Sequence, residues 1–196
     1  MRDLSIRGAG DVFGSSQAGF VDSVGISLYM KMIEDEMKRQ QGEEVIEDEE
    51  LSSLINVSTY ISDDYVSDED IKIEIHQKIN EIDSYAKLQE IKKELEDRFG
   101  KISDELEVYM YEEWFEKIAL KYNIKNVVQT DRFIEITLPE ELSKQVKGDK
   151  LMLKAYNLST SFNLKYRNNR IIITLYYNNL EKHFIYYLVE LLDSIF

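Results

Sequence analysis

The residue types that perform chemistry are sparse in this sequence and poorly spaced for it. Gly8, Gly10 and Gly14 spell G-x-G-x-x-x-G. That is one residue longer than the dinucleotide fingerprint, and it lacks the preceding strand that aims such a loop at a pyrophosphate. No G-x-x-x-x-G-K-[ST] run occurs, so the lysine and hydroxyl with which a P-loop holds triphosphate and magnesium are missing. The chain alone is therefore not expected to hydrolyse ATP. Asp63, Asp64, Asp68 and Asp70 lie close together, but no register supplies both the glycine and the closing glutamate of a calcium loop; they read as a solvated acidic turn. Cysteine is absent, which removes disulfides, thiolate metal sites and a cysteine nucleophile, and fits a reducing cytoplasm. His76 sits on an isoleucine-rich stretch without a second ligand, and His183 lies near a chain end. Both read as packing or surface residues. No serine or threonine has a local activating motif, so the sequence assigns the chain no catalytic residue, no bound cofactor and no metal.

The elements that would position these residues fall into two styles. Residues 1–20 are rich in glycine and short polar side chains and read as a loop built on tight turns. Val24, Leu28, Tyr29, Met32, Ile33 and Met37 then recur at spacings of three and four, before Lys38, Arg39 and Gly42. This predicts one amphipathic helix with a glycine stop. Glu43–Glu50 reads as an acidic linker, and Leu54–Ile61 as a short β-prone segment. Ile71, Ile75, Ile79 and Ile82 predict a helix over 69–82. Ser84 caps the next helix, whose apolar face is Leu88, Ile91, Leu95 and Phe99 and whose stop is Gly100. Ser103 caps a third, with Asp104 and Glu105 against its N-terminal dipole and a face through Leu106, Met110, Trp114, Ile118 and Tyr122.

The last third changes to period two. Val127–Gln129 and Phe133–Leu138 read as strands around a turn near Thr130 and Asp131. Pro139, the single proline, starts a short helix over 140–146, where its missing N–H costs nothing. Phe162–Tyr166 and Ile171–Tyr176 predict a second hairpin, with Asn168 and Asn169 taking positive φ. Leu180–Phe196 closes the chain as an amphipathic helix. The fold class is α+β: an N-terminal loop and helix appendage, then a compact domain of several helices packed on short antiparallel strands. The expected organisation is 1–42, an acidic linker over 43–52, and a domain over 53–196.

Charge narrows the partners. With 24 Lys+Arg against 38 Asp+Glu the net charge is −14, so the chain as a whole is repelled by nucleic acid, which is bound mainly by neutralising phosphates. Residues 43–70 hold eleven acids and no Lys or Arg; they read either as a solvated linker or as a surface that meets a basic partner. No apolar run reaches the roughly 18 residues of a membrane span. Arg2, Asp3 and Arg7 leave no apolar core for a signal peptide. The expected location is cytoplasmic, with no membrane partner.

The run Asp3–Gly19, read D-L-x-I-R-G-A-G-x-x-x-G-x-x-Q-x-G, resembles the coupling motif that bacterial transcription-repair coupling factors share with RecG-type translocases. The resemblance extends through Gly25-Ile26-Ser27-Leu28-Tyr29-Met30 and then Ile91-Lys92-Lys93-Glu94-Leu95-Glu96-Asp97-Arg98-Phe99-Gly100, with the last ninety or so residues diverging more. It implies the C-terminal end of an ATP-dependent double-stranded DNA translocase of transcription-coupled nucleotide-excision repair, with ATP and magnesium bound in motor domains outside this chain. In that family the motif links hydrolysis to movement on duplex DNA; the matching residues are Arg7, Gly8, Gly10, Gly14, Gln17 and Gly19. The resemblance also implies a C-terminal domain that clamps onto the protein's own N-terminal UvrB-like module and masks its UvrA-binding surface until the motor engages stalled RNA polymerase. The clamp positions are Glu94, Asp97 and Arg98. At helical spacing they fall within an arc of about 100°, beside the apolar face of the helix capped by Ser84, so they can be exposed while that helix stays packed. Against this stand a simple intrahelical pair between Glu94 and Arg98, and, for the whole chain, a free-standing acidic interaction module or a small acidic-substrate or metal-dependent hydrolase.

Overall fold

The computed structural model describes residues 54–55 and 61–195. The chain divides after Ser52 into two units, and every described element belongs to the second, Ser53–Phe196. The coupling-motif loop, the helix expected over Asp22–Gly42 and the linker Glu43–Glu50 lie outside the described residues.

Three helices come first. In α1, Glu69–Ile79, the Asp68 carboxylate accepts from the Asp70 and Ile71 amides, satisfying donors the first turn leaves open. The helix stops three residues earlier than its isoleucine spacing suggests: the Asn80 amide bonds back to the helix, and a further turn, Ile82 N–H to Ile79 C=O at 3.0 Å, still delivers Ile82 to the core. α2, Tyr85–Phe99, and α3, Asp104–Lys121, start at Ser84 and Ser103, whose hydroxyls accept from the Lys87 and Leu106 amides. α2 buries Leu88, Ile91 and Leu95 and ends at Gly100, where φ of 90° requires glycine. α3 buries Leu106, Met110, Trp114 and Ile118 as its periodicity predicts, and Phe115 and Ala119 as well, so it is covered on more than one side.

Two hairpins then join into one sheet. β1 (Asn126–Gln129), β2 (Phe133–Thr137), β3 (Phe162–Arg167) and β4 (Arg170–Tyr176) are antiparallel in the order β1-β2-β4-β3. The link between hairpins is the β2–β4 ladder, which places Ile134 opposite Leu175 and Ile136 opposite Ile173, all four buried. Asn168 and Asn169 turn the second hairpin at φ of 51° and 60°, as Asn can. Pro139 ends β2 and leads into α4, Glu140–Gln145. The β4 amide of Ile171 then bonds to the buried Ser143 hydroxyl at 3.0 Å, which tethers α4 to the sheet.

Other elements also differ from the sequence expectation. α5, Gly148–Leu158, was not anticipated. Its buried residues are only Leu151 and Ala155, and the neighbouring Met152, Leu153 and Tyr156 are exposed, so its apolar side is wider than the face it buries. The closing helix α6, Phe184–Asp193, is shorter than Leu180–Phe196 and starts at His183, whose Nδ1 accepts from the Ile185 amide. α6 packs on α3 and α5. Leu54, Ile55 and Ile61–Asp64, the described residues in and beside the β-prone segment, form no strand.

Candidate functional site

The three clamp positions share the C-terminal half of α2, and α1 decides how they are held. Arg98 presents both guanidinium nitrogens to Glu74 of α1, at 2.7 Å and 3.2 Å, a two-point contact. Its Nη1 also reaches Glu94 one turn back at 3.4 Å. Glu94 accepts from Lys78 Nζ at 2.9 Å through one oxygen and 3.1 Å through the other. Glu74, Arg98, Glu94 and Lys78 thus form one chain of alternating charge across two helices. The hydrogen bond from Arg98 holds the Glu74 carboxyl below its ordinary range, and the bond from Lys78 does the same for Glu94. The Arg98 guanidinium also lies 4.8 Å from the Phe99 ring centroid, which restrains its plane further.

The intrahelical Glu94–Arg98 pair is present, but it is the longest contact of the set. The cross-helix contacts dominate. Glu94 and Arg98 side chains remain 39% and 38% exposed, enough to be reached by a partner without breaking the network. Asp97 is exposed and, among the described residues, joins neither pair. The sequence placed Glu94, Asp97 and Arg98 together, and it missed Glu74 and Lys78. Their only signal is i, i+4 spacing on α1, which says nothing about which helix they face.

A second polar group sits between α1 and α3. The His76 ring meets the Tyr109 hydroxyl at 2.9 Å, which accounts for this histidine as a packed, hydrogen-bonded residue. Tyr109 and Glu112 are buried, and burial pushes the Tyr109 hydroxyl well above its usual value. Burial, helped by the nearby Glu116 carboxylate, raises the Glu113 carboxyl to about 7. Glu116 in turn accepts from the Leu54 amide at 2.8 Å. These groups are spread along a helix and against a tyrosine, with no nucleophile between them, and read as a structural seam. Of the acidic turn, Asp68 caps α1 and Asp63 pairs with Lys72. Among the described residues no three His, Asp or Glu side chains gather to hold an ion. The coupling-motif positions Arg7, Gly8, Gly10, Gly14, Gln17 and Gly19 lie outside the described residues.

Fold and site together define a small α+β domain that displays a pre-organised charged surface on one helix. Residues 55–148 match the family model described as the TRCF domain. The chain is 31% identical over 177 residues to the transcription-repair-coupling factor of Staphylococcus haemolyticus, covering 89% of this chain and 15% of that protein. It is 30% identical over 152 residues to that of Bacillus subtilis, covering 77% and 13%. A crystal structure of the C-terminal domain of transcription-repair coupling factor superposes with a TM-score of 0.56 at 22% identity, covering 70% of this chain and 85% of that one. The chain belongs to the transcription-repair-coupling factor family and has the fold of its C-terminal domain. It spans about 15% of the length of the first of these relatives.

Proposed function

We propose that this chain is the non-catalytic regulatory end of an ATP-dependent double-stranded DNA translocase acting in transcription-coupled nucleotide-excision repair. In this reading residues 53–196 clamp onto the protein's own N-terminal UvrB-like module and so restrain UvrA recruitment. Residues 1–42 carry the coupling motif, with Arg7 and Gln17 relaying the state of the ATP site to the DNA grip. ATP and magnesium are bound by motor domains outside the chain, and RNA polymerase and duplex DNA are met through the full-length protein.

The observation that carries the clamp is the charge chain Glu74–Arg98–Glu94–Lys78 with Asp97 beside it. An exposed ion pair contributes about 0–1 kcal/mol because two flexible side chains must be ordered to make it. Here Arg98 and Glu94 are ordered before any partner arrives, so a cationic partner group meeting Asp97 and Glu94 loses less entropy on docking. A few such contacts suit a latch that must open again.

The test is calorimetric titration of the chain with the UvrB-like module of its own parent protein. Glu94→Lys combined with Asp97→Lys should weaken binding tenfold or more, about 1.4 kcal/mol. Because Glu94→Lys also sets a like charge beside Lys78 and Arg98, the single Asp97→Lys variant is the cleaner probe: it leaves the α1–α2 pairs intact and should still weaken binding severalfold. Unchanged affinity in both variants rejects the clamp.

A further inference from the structure

The sheet has a second face. Strand alternation puts Ile134, Ile136, Ile171, Ile173 and Leu175 on the side that enters the core, and all are buried. Glu135 and Thr174 stand opposite each other on the other side, where the Thr174 hydroxyl donates to the carboxylate at 2.9 Å. Of the side chains on this outer face only Thr174, at its centre, is buried. The two ends of the face differ in chemistry. At one end Phe133 and Tyr176 are cross-strand partners on the two central strands, with ring centroids 5.9 Å apart and Tyr176 39% exposed. At the other end Arg167 and Arg170 face each other across the second hairpin, with Lys165 two residues back on the same side. All three are exposed. Like charges directly opposite each other destabilise a hairpin, and among the described residues none of the three cations has an ion-pair partner. Thr137, Glu140, Arg167, Asn168, Arg170 and Ile172 line a recess at this end; the Glu140 carboxylate is committed to Lys144 at 2.7 Å. The charge of the chain is reversed here. Residues 123–180 hold nine Lys and Arg against five acids, in a chain whose totals are 24 and 38.

From this juxtaposition we infer that the outer sheet face binds a short stretch of single-stranded nucleic acid, at a surface that uses no residue of the α2 clamp. Phosphates enter the recess beside Arg167 and Arg170 and pass Lys165, while a base stacks on Tyr176 next to Phe133. Arg170 and Tyr176 are six residues apart on β4, about 20 Å, and the open face of a four-stranded sheet can stack two or three bases over such a length. Glu135, an acceptor at mid-face, meets base N–H donors rather than phosphates. An acidic peptide would satisfy the cations and leave the two rings without a planar partner. Duplex DNA keeps its bases stacked inside, so the rings would meet only backbone. A chain of net charge −14 is also repelled at range by a rod carrying one charge per roughly 1.7 Å. The same net charge confines the single-strand contact to short range, which makes it modest in affinity and sensitive to salt.

The experiment titrates the whole chain into fluorescein-labelled oligouridine and oligothymidine of about ten nucleotides, read by anisotropy at about 50 mM salt. The expected result is saturable binding with a dissociation constant of roughly 1–100 μM, the range of sequence-independent contacts. The logarithm of the affinity should fall against log salt with a slope of about −2, as three neutralised phosphates of a single strand require. Arg167→Glu with Arg170→Glu should weaken binding tenfold or more, and Lys165→Glu severalfold. Tyr176→Ser should weaken it fivefold or more through lost stacking, and Tyr176→Phe should keep it. Lys93→Glu with Lys101→Glu, at exposed positions on and beside α2, changes the net charge as much as the double arginine variant and should leave binding within about twofold. Circular dichroism should stay native throughout. Tighter binding of one oligomer assigns RNA or DNA as the ligand. No saturable binding by the folded chain overturns the inference, as do unchanged affinity in the arginine or Tyr176→Ser variants and an equal loss in the Lys93, Lys101 control. So does tighter binding of a duplex of the same length. Equally good competition by an oligoglutamate of matched length assigns the face to an acidic protein segment instead.

Discussion

Glu113 offers the sharpest quantitative test of how α3 is buried. Its carboxyl is raised from 4.5 to about 7, first by burial and then by the neighbouring Glu116, with Lys117 opposing. A folded-state pKa above the unfolded one means that the native state prefers the protonated form. No penalty exists well below pH 4.5. The penalty grows as pH rises between the two pKa values and is complete above about 7. A displacement of roughly two and a half units corresponds to about 3 kcal/mol at 1.36 kcal/mol per unit. Because the side chain keeps partial access to water, about 1–3 kcal/mol is expected. Glu113→Gln removes the charge and keeps the shape. In urea denaturation it should match the parent at pH 4 within about 0.5 kcal/mol, and exceed it by about 1–3 kcal/mol at pH 8.5. Comparing variant with parent at each pH cancels the other titrating groups. A stability difference that is the same at both pH values would refute the burial of this carboxyl.

Three further outcomes are expected. Leu95→Ala, at a fully buried position on α2, should cost about 2–5 kcal/mol in the same assay, and would also lower clamp affinity if α2 shifts. Gly100→Ala should cost about 1–3 kcal/mol although nothing lies within 4 Å of the added methyl, because φ of 90° is strained for any residue with a side chain; a neutral result would place Gly100 in an ordinary conformation. Residues 53–196 expressed alone should unfold in one cooperative transition and neither hydrolyse ATP nor retard duplex DNA. Nucleotide turnover by that purified piece would overturn the non-catalytic reading.

The clamp positions lie on a helix whose inner face is fixed by Leu88, Ile91 and Leu95, so the charged outer edge is delivered at a defined angle.

What the sequence determined by itself is what local chemistry determines. Ser84 and Ser103 announce α2 and α3 because a hydroxyl one residue before a helix satisfies amides that have no other partner. Apolar residues at spacings of three and four name the buried faces. Asn168 and Asn169 fix a hairpin because few other residues tolerate two successive positive φ values. Glu94, Asp97 and Arg98 could be grouped on one edge from spacing alone. Only the tertiary structure decided the rest. That the two hairpins share one sheet through β2 and β4, that Glu74 and Lys78 of α1 claim Arg98 and Glu94, and that Ser143 closes the end of β4 all depend on residues far apart in the chain. Their pairing energies arise only after the core has brought the elements together. α5 was hidden for a different reason: no capping side chain marks its start at Lys147, and which part of its broad apolar side enters the core is settled only by its packing on α6 and β3.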